Sequence, residues 1–227
     1  LRDRQTDALL ELGRTPLDPT SWGGAFAALA AVFTDIRTEI SNTLADPDGA
    51  EFWQRVAIAT ILLAAAFLLL FRGPHWIEQW LTRIESASGE HGAIVYGFLL
   101  SFGGVVAAMA GVTLINAALI STGLLGETGR AMAVGANAAI LAYAVGRWLG
   151  GRTFPERASI PSALSLDDRQ RASGRAHASS LGILAGLLSW QGILNQTVKF
   201  DPDHLAVLTF PIFVLKGLVL FRLGRII

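Results

Sequence analysis

His75 and Glu78 stand three residues apart, a spacing that places two potential metal ligands on one face of a helix. One such pair falls short of the three or four ligands a metal site needs, and His91, His177 and His204 bring no further companion into register with it. The chain has no cysteine, which removes disulfides, thiolate metal sites and cysteine nucleophiles. No nucleophile elbow, P-loop or dinucleotide fingerprint occurs. We therefore expect no enzyme, with no catalytic residue, no metal and no cofactor.

The remaining chemistry is charge. "GRTFPERASIPSALSLDDRQRASGR", residues 151 to 175, holds five arginines in 25 residues. A phosphate or nucleotide site would need a glycine-rich turn between a strand and a helix, and the island lacks one. Over the whole chain 18 basic residues balance 18 acidic ones, so no nucleic-acid partner is expected. The balance hides an asymmetry. Residues 1–51 hold nine acids and four arginines, whereas the rest holds nine acids and fourteen bases.

These groups are carried by a chain of 227 residues that is 52% hydrophobic and only 16% charged, outside the usual range of soluble domains. Residues 1–50 read as a helical segment, the end of a hairpin or coiled coil. "LRDRQTDALLEL" is followed by a loop with two prolines, then by a helix with apolar residues at Trp22, Phe26, Leu29, Phe33, Ile36 and Ile40. Residues 51–227 read as a transmembrane bundle, with spans expected at about 53–71, 93–120, 131–149, 177–197 and 205–223. The first has no charge from Val56 to Phe71, 16 residues covering about 24 Å, and Phe52 and Trp53 lengthen it toward the bilayer core of about 30 Å. The fold class is thus all-α: a polytopic membrane protein of about five transmembrane helices with an N-terminal helical segment. After the first span, "GPHWIEQWLTRIES" puts Pro74 at a helix start with Trp76, Ile77, Trp80, Leu81 and Ile84 on one side, which predicts an interfacial amphipathic helix over 74–87. The same pattern also suits an extension of the span.

Arginine and lysine collect on the cytoplasmic side of short loops. With the acidic N-terminal segment outside, five spans place Arg72, Arg83, Arg147, Arg152, Arg157, Arg169, Arg171, Arg175, Arg222 and Arg225 inside, and leave Arg130 and Lys199 in the outer loops. The island becomes a cytoplasmic loop over 150–175 that orients the bundle. Within it Ser165 is expected as a helix N-cap. Trp53, Trp76, Trp80 and Trp148 are expected as interface anchors. Arg72, Arg83, Arg147, Arg152, Arg157 and Arg222 suit anionic headgroups, and Lys216 can snorkel toward the same side. The bilayer is the expected partner.

Helices in lipid associate through small residues. Gly103 and Gly111 in the second span, Ala142 and Gly146 in the third, and Gly182 and Gly186 in the fourth form such faces. Asn116, Asn137, Gln191 and Asn195 are expected to bond between helices, since an unpaired polar group in lipid is costly. No acid lies within a span, which weighs against a proton- or cation-coupled transporter.

"RDRQTDALLELGRTPLDPTSW", "GRAMAVGANAAILAYAVGRWLGGRTFP" and "LAVLTFPIFVLKGLVLFRLGRII" together resemble the large bacterial, MscS-like relatives of the mechanosensitive channel of small conductance, which carry a periplasmic helical region and extra spans ahead of the channel module. The resemblance implies a peripheral tension-sensing region of an osmotic release valve in the bacterial inner membrane. It also implies assembly as a homo-oligomer, a heptamer, with a periplasmic N-terminal segment and a cytoplasmic C-terminal end. The family's pore helix and its soluble β and α/β parts are not identifiable, so no pore residue is carried over and the pore is expected past Ile227. A membrane scaffold or small-solute carrier with a partner-binding periplasmic segment is the alternative.

Overall fold

An uncharged run in lipid must satisfy its backbone within itself, and the α-helix is the way a single segment does so. The computed structural model describes residues 16–45, 49–85, 92–155 and 166–226, and in them the chain forms six helices and no strand. These are α1 (Pro19–Ala45), α2 (Gly49–Glu85), α3 (Gly92–Ser121), α4 (Glu127–Thr153), α5 (Asp168–Val198) and α6 (Pro202–Gly224). Among the described residues four stretches are long and apolar enough to cross a membrane: Glu51–Gly73, Ser101–Ser121, Glu127–Thr153 and Pro202–Gly224. The protein is an all-α polytopic membrane protein. The stretch "LRDRQTDALLEL" and Arg157 lie outside the described residues.

Two antiparallel hairpins make up the bundle. In the first, α2 lies along α3 with Leu70 against Gly111, Gly73 against Ala107 and Ile77 against Gly103. In the second, α4 and α5 share the most extensive interface among the described helices. The hairpins meet through α3 and α4, α6 packs on α5, and α1 lies against α6 and the start of α4.

The first hairpin differs from the sequence reading. α2 is one helix of 37 residues, about 55 Å long, and the segment expected as a separate interfacial helix over 74–87 is its continuation. Proline normally disfavours helical backbone in the residue before it, because its ring meets that residue's Cβ. Here that residue is Gly73, which has no Cβ, and the helix runs on through Pro74 to Glu85.

α5, the fourth expected span, is not among the stretches apolar enough to cross a membrane. It carries Ser179, Ser180, Ser189, Gln191 and Asn195, yet it runs beside α4 along most of its length, and these three serines are satisfied within the helix. Ser179, Ser180 and Ser189 donate to the carbonyls of Arg175, Ala176 and Ala185 at 2.9, 2.9 and 3.1 Å. Its N-cap is Asp167, in place of the expected Ser165. The Asp167 carboxylate accepts from Gln170 N–H at 2.7 Å while the Gln170 side chain accepts from Asp167 N–H at 2.8 Å, a capping box that serine at 165 stands too far upstream to form with Gln170.

Only part of the expected stripe of α1 faces inward. Ser21, Ala25 and Val32 are buried and Ala28 and Ile36 pack beside them, while Phe26 and Phe33 are 56% and 53% exposed. Small residues let α1 approach α6 and α4 closely. Val32 joins Ala131, Leu194 and Phe200 in one core cluster, so the seam where α1 meets the ends of α4 and α5 is buried protein.

Candidate functional site

Helix registry sorts the charges. Arg147 and Arg152 at the end of α4, Arg169, Arg171 and Arg175 at the start of α5, and Arg222 and Arg225 at the end of α6 lie at one end of the bundle. α1, Arg130, Lys199, Asp201 and Asp203 lie at the other.

The close approaches are built from glycine. A Cβ added at Gly146 would stand 2.8 Å from the Ala178 carbonyl and from Gly182 Cα. One added at Gly182 would meet the Ala142 carbonyl at 2.8 Å, and one at Gly186 would meet Ala139 Cα at 2.7 Å. All of these obstacles are backbone, so α4 and α5 touch main chain to main chain along this seam. Gly103 and Gly111 differ in kind. Their obstacles are the side chains of Ile77 and Leu70, at 2.8 and 2.5 Å. All six expected small residues lie on helix interfaces. Gly135, cradling Trp190, and Gly150, against Ala178, extend the α4–α5 seam, and Gly150 continues the four-residue spacing of Ala142 and Gly146.

Polar side chains cross the bundle at three levels. Asn116 on α3 donates to the Ala133 carbonyl on α4. Gln191 on α5 donates to Thr209 Oγ1 on α6 at 2.8 Å. Trp148 on α4 donates its indole N–H to Ser101 Oγ on α3 at 3.0 Å. Asn195, expected to bond between helices, instead accepts from Phe200 N–H at 2.9 Å and closes the tight link between α5 and α6, where Lys199 takes the left-handed conformation at φ 52°. Asn137 keeps a buried Oδ1 without a partner.

Trp148 therefore has a protein partner for its N–H. Its ring meets Phe98 and Phe102 edge-on at 5.8 and 5.6 Å, and the Arg152 guanidinium lies over Phe98 at 5.5 Å. Trp53 is 71% exposed at the opposite end of the bundle, beside Phe52, and Trp76 is exposed on the continuation of α2. Arg72 is exposed one residue before Gly73, which packs at the level of Ala107; that level is about 9 Å along α3 from Ser101. Lys216 is half-buried on α6 and Arg222 exposed near its end. Trp80 and Arg83 lie on α2, and their side chains, like the whole of Arg157, are outside the described residues.

Where the hairpins meet, α3 and α4 leave an open groove of about 620 Å³. Its walls include Val105, Ala108, Met109, Val112, Ile140 and Ala144, and Trp148 and Ser101 lie toward one end. Arg147, Arg152 and Arg175 line it as well. Arg175 was legible only as one of the island's charges. What brings it here is tertiary: Phe154 folds against Gly174, and Arg175 Nη1 donates to the Phe154 carbonyl at 2.9 Å.

Among the described residues no cluster of three or more His, Asp or Glu could hold a metal. His177 is engaged with Ser173, its Nδ1 lying 2.6 Å from the Ser173 carbonyl, and His204 lies against Gly24 in the α1–α6 contact. Compared with protein-family models, with curated proteins and with solved structures, the chain matches none of them.

Proposed function

We propose that the chain is the peripheral, tension-sensing membrane region of a mechanosensitive channel of the MscS-like kind, one subunit of a homo-oligomer in a bacterial inner membrane. The acidic N-terminal segment is periplasmic and the arginine end is cytoplasmic in this reading, in keeping with the bias of basic residues toward the cytoplasm.

The observation that carries it is how little of each spanning helix the rest of the chain covers. In the most apolar window of α6 only 6% of residues are buried, and Phe213, Leu215, Leu218 and Phe221 are exposed. α2 likewise exposes Ile61, Phe67 and Phe71. Wherever such uncovered faces meet lipid, tilting of the hairpins changes their lipid contacts. Tension then favours the arrangement with the larger area in the membrane plane. The hairpins meet through the α3–α4 contact, which is smaller than the interface inside either one and is where the groove opens, so relative tilt has a place to occur.

The test is patch-clamp recording of the reconstituted full-length protein under suction. Currents that switch on with rising suction are the expected result. Silence at all pressures, with the protein present in the patch, overturns gating by tension and leaves a scaffold or carrier.

A further inference from the structure

The α3–α4 groove has the shape and charge of a site for one lipid molecule. Its lining runs from Ser101 to Val112 on α3 and from Ile140 to Arg152 on α4. Eleven or twelve residues of helix rise about 16 to 18 Å, close to half of a hydrocarbon core of about 30 Å. The groove is thus as deep as one leaflet. Val105, Ala108, Met109, Val112 and Ile140 give it apolar walls, and among the described residues that line it three are arginines and none is an acid.

Those arginines come from two helices and sit at the same end. Arg147 is exposed on α4. Arg152 stacks over Phe98, and Arg175 reaches in from α5 while tethered to the Phe154 carbonyl at 2.9 Å. That tether uses one of the five N–H donors of its guanidinium. Basic pockets between helices at the membrane surface suit phosphate headgroups, and a guanidinium matches phosphate with paired donors. A free phosphate would use the arginines and leave the apolar walls without a role. A zwitterionic lipid would use the walls but bring no net negative charge to the arginines.

The geometry points to an anionic glycerophospholipid held one per chain, its phosphate among Arg147, Arg152 and Arg175 and an acyl chain along Val105, Ala108 and Ile140. This site rests on the membrane-spanning helices and not on gating by tension. Its test reads bound lipid, so its failure and a failure of the channel reading are separate results.

Full-length protein stripped of lipid in detergent is titrated with phosphatidylglycerol, or with phosphatidylcholine of the same acyl chains, and bound lipid is counted by native mass spectrometry. Wild type is expected to keep one phosphatidylglycerol per chain at concentrations where phosphatidylcholine is lost. Arg147→Gln with Arg152→Gln is expected to weaken phosphatidylglycerol about 25-fold, from a factor of about five for each arginine. Arg169→Gln with Arg225→Gln, which removes as much charge from the same end outside the groove, is expected to change it less than about twofold, because neither side chain lines the groove and attraction to a surface charge falls off within a Debye length. Ala108→Trp is expected to displace the lipid with every arginine in place. Equal retention of the two lipids by wild type overturns the proposal whatever the variants do. Release of phosphatidylglycerol by inorganic phosphate at matched concentration also overturns it, by reducing the site to a phosphate pocket.

Discussion

Glu39 on α1 closes the start of α4: its carboxylate accepts from the backbone N–H of Gly129 at 3.0 Å and from that of Thr128 at 3.1 Å. Gly126, the N-cap residue, makes no side-chain cap of its own. A carboxylate borrowed from a residue about ninety positions away thus satisfies two of the amides a helix start leaves open, and it lies at the positive end of the helix dipole. It also fastens α1 to the second hairpin. A Cβ at Gly126 would meet the Glu39 carboxylate carbon at 2.6 Å, so the glycine makes room for the cap.

Glu39→Ala should therefore destabilise the start of α4 as the loss of an N-cap does, by about 1 kcal/mol within a range of about 0.5–2. Amide hydrogen exchange reads this directly. Thr128 and Gly129 are expected to exchange faster in the variant while amides in the middle of α5 are unchanged. Glu39→Gln, which keeps one acceptor oxygen, should fall between. Unchanged protection in Glu39→Ala would remove the capping role.

Main-chain contact between α4 and α5 makes Gly182 intolerant of any side chain. Gly182→Val should cost about 1–3 kcal/mol by overpacking, because the obstacles are the Ala142 carbonyl and backbone atoms that cannot rotate away. Gly217→Ala on α6 has nothing within 4 Å of the added methyl and should be close to neutral. Thermal unfolding in detergent, followed by circular dichroism, compares the two. Equal midpoints would show that the seam is looser than its geometry implies.

The Trp148–Ser101 bond ties the two hairpins at the end of the groove where the arginines lie. A double-mutant cycle of Trp148→Phe and Ser101→Ala should return a coupling of about 0.5–1.5 kcal/mol, the usual net worth of one hydrogen bond. Zero coupling would mean that the aromatic contacts with Phe98 and Phe102 hold the indole alone.

With no cysteine in the chain, single cysteines can report sidedness without a background. Lys199→Cys and Gly151→Cys replace exposed residues at opposite ends of the bundle. In intact spheroplasts a membrane-impermeant maleimide should label the cysteine at 199 and spare that at 151 until the membrane is broken. The reverse pattern would invert the orientation proposed from the arginines.

The long apolar helices and their small-residue faces were legible because both follow from local composition. An uncharged run in lipid must be a helix, and glycine every fourth residue must lie on one face. Asn116 and Gln191 could be singled out, since a polar group in such a run needs a partner; which partner each one finds could not, and Trp148, expected at the headgroup boundary, bonds to Ser101 instead. The places where the sequence reading parts from the structure share a cause. Pro74 reads as a helix start when taken alone, but Gly73 before it removes the clash. The phenylalanines of α1 dominate an apolar pattern, whereas the face that packs is made of Ser21, Ala25 and Val32, since small residues let helices approach closely.

Chemistry within one segment, then, was determined by the sequence alone: which stretches are helices, which faces are small and which end carries the arginines. Tertiary structure decided what depends on two distant segments meeting. Glu39 became a cap for α4, Trp148 a tie to Ser101, and Arg175 a third cation beside Arg147 and Arg152. The physical reason is that capping, hydrogen bonding and charge clustering act over a few ångströms of space, and spacing along the chain reports such distances only within a single helix or turn.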